Sequence, residues 1–579
     1  MIKRSFYKLL AIGNGRQLFL LLVATLVVIA IGVFLGEFVF KGGLDIILVV
    51  FGFLLVSTFF ACIFANIFKN VAQSVRSGDS RYNFSGHVLI LGAGHQLKSL
   101  LLALKGDDRE VVVVSSKHVG FKNDCIYYKG SYEDEQVLAT VGALSASAIY
   151  VIGEDDPEHD SKSLHCLEVL RKICKSPDHD IHCYLSLRDQ TTFEVFCYLK
   201  LKLEESRFMV DIFSEYEFMA EELLVESDFL PVIKAKEDKR SRVVLLGTGA
   251  VAQAVAYTVA HISHYPNFAT GAKTCITFVD ENCRRWMDRL LAARPGLFKL
   301  SRYTFVDKDG SRMIHEPEGE EGDFLDVEWE FVDSYCESTL VKNMLESAVL
   351  DETQMLSICV CYEVASKAIA TTLHLPRMVF GNANIAIYWP DHCTDIIDRV
   401  NESGMYGKVQ ILGGFDCARK YANSMRVERG KRANFIYEKF LNPYSNLAPQ
   451  SIWYKLSEAH KNYSIYCANG MPLRLKCFDP NDKDMLFEAE HRRRMMSMLL
   501  MGYSAGKTDK KTFTHQDVTR YELLSDDKKK RDESFALNAD YIVNGDPEEN
   551  AKAAKNAKTE AEKKSKRSPE KKPTKKLKK

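Results

Sequence analysis

Two apolar runs, residues 18–36 and 46–68, stand directly upstream of a strand-and-glycine sequence, His87-Val-Leu-Ile-Leu-Gly-Ala-Gly94. Each run is long enough to cross a hydrocarbon core of about 30 Å, which takes roughly 20 residues at 1.5 Å rise. The expected arrangement is a transmembrane hairpin, with helices at about 18–40 and 44–68, carrying a nucleotide-type fold on its far end. Lys3, Arg4, Lys8 and Arg16 precede the hairpin and Lys69, Arg76 and Arg81 follow it, whereas residues 37–45 between the runs hold one base, Lys41. The bias places both termini and all soluble parts in the cytoplasm of a multi-pass inner (plasma) membrane protein. The connection is too short for a pore helix and a carbonyl-lined filter.

At 579 residues the chain has room for several domains beyond the hairpin. The formal charge of zero hides a split, because residues 552–579 carry 13 Lys+Arg against 3 Asp+Glu, which leaves the remainder ten units negative. That tail has almost no apolar residues and is expected to be disordered, either simply solvated or lying on anionic lipid or loosely on nucleic acid, with no specific nucleic acid partner. The 15 cysteines form no Cys-x-x-Cys pair, so buried thiols in a reduced compartment are expected, and no metal site.

From residue 84, apolar strands alternate with helical periods. Strands are read at 87–91, 110–115, 125–128, 148–152 and 181–187, and helices at 96–105, 133–141, 161–175 and from Thr191. This alternation predicts βαβ units and a parallel sheet. Gly92 and Gly94 open the first helix, where a dinucleotide's phosphates would meet backbone N–H groups. Leu97 replaces the third small residue and Ser115 replaces the acid that binds ribose, so this half reads as structural or as selective for a ligand other than NAD. A second half, 239–416, begins at Arg242-Val-Val-Leu-Leu-Gly247-Thr-Gly249-Ala-Val-Ala252. Its next strand ends in Asp280, 33 residues beyond Gly247, a longer interval than the usual ~20 that a loop at 264–273 explains. Gly247, Gly249, Ala252 and Asp280 are therefore the stronger nucleotide candidates, with NAD(H) or another nucleotide as the ligand. Further strands are read at 330–333, 355–361, 384–388 and 408–412. No catalytic constellation assembles in either half.

Gly92-Ala-Gly94, Tyr128-Lys-Gly130-Ser131, Val141-Gly142-Ala143 and Ala148-Ile-Tyr-Val-Ile-Gly153 with its acidic turn 154–156 resemble the RCK, or TrkA-N, domains that regulate potassium channels and transporters. The junction at 77–87 is similar to the pore-helix-to-RCK start of Castor/Pollux channels. By this resemblance the protein regulates or forms a cation pathway as a homo-oligomer, a tetramer with two such domains per chain.

After Phe415 the pattern turns helical, at 417–421 and 435–440, then in a helix opened by 452–456 that runs toward 460–462, and in a last helix from 486 to the Gly502 stop. Glu490-His491-x-Arg493, Gly502-Tyr503, Gly506, His515 and Arg520-Tyr521-x-x-Leu524 resemble the RyR domain, a small helical repeat named for ryanodine receptors. The resemblance implies ligand contacts at His491, Arg493, Tyr503 and Tyr521, although Arg494, Tyr503 and Tyr521 stand where the family tends to have tryptophan. The combined expectation is a membrane-anchored sensor of a nucleotide-like ligand. The alternatives are a membrane-tethered NAD(P)-dependent oxidoreductase using Gly247, Gly249 and Asp280, and an assembly scaffold.

Overall fold

The computed structural model describes residues 84–546, apart from 118–124, 199–206, 318–323, 391–393, 415–416 and 445–447, together with Gly52. Apart from Gly52, the two apolar runs, the linker at 70–83 and the basic tail lie outside the described residues. Among the described residues no helix is long and apolar enough to cross a membrane.

The strands of the first half are β1 (Val88–Leu91), β2 (Val111–Ser115), β3 (Ile126–Lys129), β4 (Ala148–Val151), β5 (Ile181–Leu187) and β6 (Phe208–Ser214). They form one parallel sheet in the order β3-β2-β1-β4-β5-β6. This is the Rossmann order, with its switch point between β1 and β4, where ligands bind beyond the strand C-termini. The second half repeats it. Here β7 (Arg240–Leu246), β8 (Thr274–Asp280), β11 (Val327–Asp333), β12 (Gln354–Val360), β13 (Asn384–Trp389) and β14 (Val409–Gly413) lie parallel, with the switch point between β7 and β12. A hairpin of β9 (Tyr303–Val306) and β10 (Arg312–His315) extends the edge beyond β11, with β10 antiparallel.

Alternate residues of each strand enter different cores. Val88 and Ile90 face the core shared by both halves, whereas Leu89 and Leu91 face the helices of the first half alone. Val243 and Leu245 join that shared core, and Val244 and Leu246 face a third cluster. Strands buried on both faces read as continuous apolar runs, which is why the sequence displays them plainly. The shared core also takes in the crossover helix α1 (Glu215–Leu224), the glycine-turn helix α2 (Ala250–Ile262) and Met495–Leu500 of a C-terminal helix.

The C-terminal module is built on α3 (Met425–Leu441), α4 (Glu458–Cys477), α5 (Lys483–Leu500) and α6 (Asp526–Leu537). The helix expected to run from 452 through 462 is broken. A short turn Pro449–Trp453 ends first, and α4 starts anew after Ser457. Buried charges hold the module to the first half. Lys461 Nζ donates to Glu458 at 2.8 Å and to the Val210 carbonyl at 3.1 Å and lies 3.7 Å from Asp211, all at the β6 edge. Arg426 pairs with Glu221 and lies 3.5 Å from Glu217 on α1. Gly296 of the second half meets Tyr503 so closely that a Cβ there would lie 2.4 Å from the Tyr503 carbonyl oxygen.

Candidate functional site

Each glycine turn faces the loop that leaves the neighbouring strand across the switch point, β4 in the first half and β12 in the second, and the two turns differ in what that loop does. In the first half Gly92 has φ +99°, and a Cβ on it would fall 2.1 Å from the Gly153 carbonyl oxygen. The same oxygen accepts the Gly94 N–H at 2.9 Å. The backbone donor that would greet a phosphate is thus spent within the chain. The helix that follows, Leu97–Ala103, has only seven residues.

The ribose position of the first half is filled as well. Ser115 ends β2 where an acid would bind a sugar, and its Oγ donates to Glu154 Oε1 at 2.8 Å. Ser116 adds its N–H at 3.2 Å and its hydroxyl at 3.1 Å to the same oxygen. Glu154 is buried. His95, at the helix entrance, is half-buried and paired: Nε2 is 2.8 Å from Glu215 Oε1 and Nδ1 is 3.1 Å from Asp155 Oδ1. Arg188 reaches the same two carboxylates, at 2.8 Å to Asp155 and 3.2 Å to Glu215. Burial works against Glu215's charge, yet His95 and Arg188 hold its carboxyl down at about 2. Opposed charges thus clamp α1 to the mouth of the first cleft.

The second half keeps its turn open. Gly247 has φ +117°, and a Cβ there would meet nothing nearer than Tyr362 at 3.5 Å. Gly249 caps the 13-residue helix α2, and no side chain caps it in turn. Among the described residues the Gly249 N–H has no acceptor. A helix start of this length with free N–H groups attracts anions through its dipole and its donors. Ala252 is fully buried, giving the close helix–sheet contact that a small third residue allows. Asp280 ends β8, half-buried, with Oδ1 accepting the Asn282 N–H at 3.0 Å. Its other carboxylate oxygen has no hydrogen-bond partner among the described residues, which leaves it free for a sugar diol.

Around this turn stand groups that a motif search does not find. Glu363, exposed on the loop after β12, brings Oε1 within 3.3 Å of where a Gly249 Cβ would be. Tyr362 carries Lys367 Nζ 3.8 Å above its ring, and its hydroxyl is 2.8 Å from Cys336 Sγ. Glu363 also reaches α1 electrostatically. Burial first, then the charges of Glu215 and Glu363, push the Tyr216 phenol up, and the Tyr216 ring meets Tyr388 at 6.0 Å.

In the C-terminal module the structure brings together two of the four residues singled out by resemblance, His491 and Tyr521, whose rings lie 5.9 Å apart. Arg493 is fully buried and forks onto Glu490 at 2.8–3.1 Å, with Ser497 at 3.1 Å, so no donor faces a ligand. Arg474 joins the same carboxylate at 2.8 Å, so Glu490 and its two arginines form a buried triad. His491 is buried against the Thr519 carbonyl at 2.6 Å and Asp532 at 3.3 Å. Tyr503 and Tyr521 are half-buried and lie on different contacts, with Phe513 and with His491. Among the described residues no cluster of His, Cys, Asp and Glu fits a metal ion, and no described cysteine is in a disulfide.

No protein-family model matches the chain. No curated protein matches it either. Among solved structures it is similar to the GsuK channel bound to NAD, at TM-score 0.38 and 12% identity over 72% of this chain and 78% of that one. It is also similar to the GsuK RCK domain, at TM-score 0.34 and 12% identity over 61% and 79%. The human SLO3 gating ring follows at TM-score 0.36 and 9% identity over 58% and 82%. The fold assignment itself rests on the two strand orders described above.

Proposed function

We propose that this chain is a membrane-anchored cytoplasmic sensor of RCK type with an RyR-like module, in which the second half binds a nucleotide and the first half is a structural partner. The observation that supports it is the contrast between the two turns: Gly94's N–H is tied to Gly153, whereas Gly249's is free at the start of a long helix. In this reading a phosphate sits on the turn 247–252 and a ribose diol on Asp280. The phosphate meets the exposed Glu363 carboxylate as a like charge and displaces it from the turn, and this alters the field that Glu363 exerts on Tyr216 of α1. Because α1 is clamped to the first half through Glu215 and packs on α2, occupancy biases how the halves sit together. Residues 70–83 carry the change to the hairpin, which works as part of a homo-oligomer on a cation pathway. A ligand shifts such an equilibrium only by its differential affinity for the two states, typically about 1–3 kcal/mol. Regulation rather than turnover is the role proposed.

The test uses the full-length protein in detergent micelles, melted against ADP, ATP, NAD(H), ADP-ribose and cyclic dinucleotides. A ligand at a hundred times its Kd stabilises by about 2.7 kcal/mol. One nucleotide is expected to raise the midpoint, and Asp280→Ala to abolish the shift. Absence of a shift with every nucleotide, or recovery of the chain in the soluble fraction after an alkaline wash, contradicts the proposal.

A further inference from the structure

The face of the second sheet that carries Val244, Val279 and Val332 toward the glycine turn changes character toward the strand starts. In register below them lie Arg242, Cys275, Thr277, Glu328 and Glu330. A cavity of about 520 Å³ remains between the polar floor, the helix Thr339–Leu350 and the β9–β10 hairpin. That volume is in the range of small-molecule sites, roughly 300–1,000 Å³.

Four arginines line it against three carboxylates, Glu328, Glu330 and Asp351. Arg242 is buried, paired with Glu330 and hydrogen-bonded to Gln354 at 3.3 Å. A buried pair of this kind is seldom cheaper than apolar side chains of the same volume, so stability alone does not explain a charged floor. Arg240 donates to Glu328 at 3.0 Å. From the hairpin, Arg302 has its Nε 3.2 Å from Glu316, which is largely exposed. Arg312 has no charged partner among the described residues. The guanidinium fork matches carboxylate and phosphate oxygens two at a time.

We propose that this groove binds a small, multiply charged oxyanion, a phosphate or a polycarboxylate, held by Arg302 and Arg312 over the Arg240–Arg242 floor. The site is separate from the nucleotide cleft. Arg240 and Gln354 begin β7 and β12, and the glycine turn lies beyond the far end of the seven-residue β7, about 20 Å away.

The experiment is calorimetric titration of the full-length chain, at fixed ionic strength, with sodium pyrophosphate in one arm and citrate in the other. Saturable binding in the first arm, the second, or both assigns the groove to phosphate, carboxylate or either. Arg302→Gln with Arg312→Gln, both outside the buried pair, weakens it about tenfold or more, which is roughly 1.4 kcal/mol. Ser347→Trp, which fills the groove from the exposed helix face, does the same. Gly249→Asp, which puts a carboxylate at the glycine turn, leaves it unchanged. Unaltered affinity in both groove variants, loss only in Gly249→Asp, or no saturable heat in either arm overturns the proposal.

Discussion

His95 offers a quantitative handle on the sealed cleft. The imidazole sits between two carboxylates, Glu215 at 2.8 Å and Asp155 at 3.1 Å, with Arg188 as the neighbouring cation. Burial disfavours its charge, but the hydrogen bonds to Asp155 and Glu215 and the pull of Glu215 outweigh that, raising its pKa from 6.5 to about 9. A folded pKa above the unfolded one means that the stabilisation is complete below about pH 6.5 and is lost as pH rises through about 9. At 1.36 kcal/mol per unit, the difference amounts to about 3 kcal/mol. The variant His95→Gln keeps a hydrogen-bonding side chain and removes the titration. Hydrogen exchange of the β1 and β4 amides, corrected for intrinsic rates, reads the local stability of the first half in the intact chain. The expected gap between unaltered protein and variant is about 3 kcal/mol wider near pH 6 than near pH 10. The rival arrangement is a neutral ring whose Nδ1 accepts from Arg188 Nη2 at 2.8 Å. A gap that stays constant across this range establishes that tautomer and refutes the charged clamp.

Two further outcomes follow from packing. Gly92→Ala drives a Cβ into the Gly153 carbonyl at 2.1 Å, whereas Gly247→Ala meets nothing nearer than Tyr362 at 3.5 Å, and both have positive φ. Both therefore carry the strain of about 1–3 kcal/mol, but Gly92→Ala costs clearly more; equal losses in thermal melts would undo the contrast between the turns. Arg426→Met leaves Glu217 and Glu221 buried without their guanidinium and is expected to cost about 3–5 kcal/mol, part of it recovered by adding Glu221→Gln. A double variant no more stable than Arg426→Met would show that the carboxylates are not the source of the cost.

Much of the sheet architecture was legible because strands such as Val111–Ser115 are buried on both faces and print as apolar runs. The strand β6 escaped notice because Asp211 interrupts it, and that acid is affordable only beside Lys461, which arrives from 250 residues further on. The strand β10 has three exposed positions of four and offers no alternation to read. The break after Trp453 and the helix α4, with Pro472 inside it, defeated periodicity because α4 is buried on most sides and shows no apolar stripe. The glycines and Asp280 were readable as a local motif. The sealing of the first cleft was not, because Glu154, Arg188 and Glu215 lie far from Gly92 in sequence and meet only through the sheet order. For Arg493 the local pair with Glu490 was readable, but not its burial beside Arg474, which shares that carboxylate and makes an apparent ligand contact part of the core.

The most direct test is nucleotide stoichiometry combined with hydrogen exchange on the full-length chain, using whichever nucleotide stabilises it. One molecule is expected per chain, with protection at residues 247–253 and 280–282 and no change at 92–97. Protection at 92–97, or two nucleotides per chain, would contradict the assignment of an open second cleft beside a first cleft closed by its own charges.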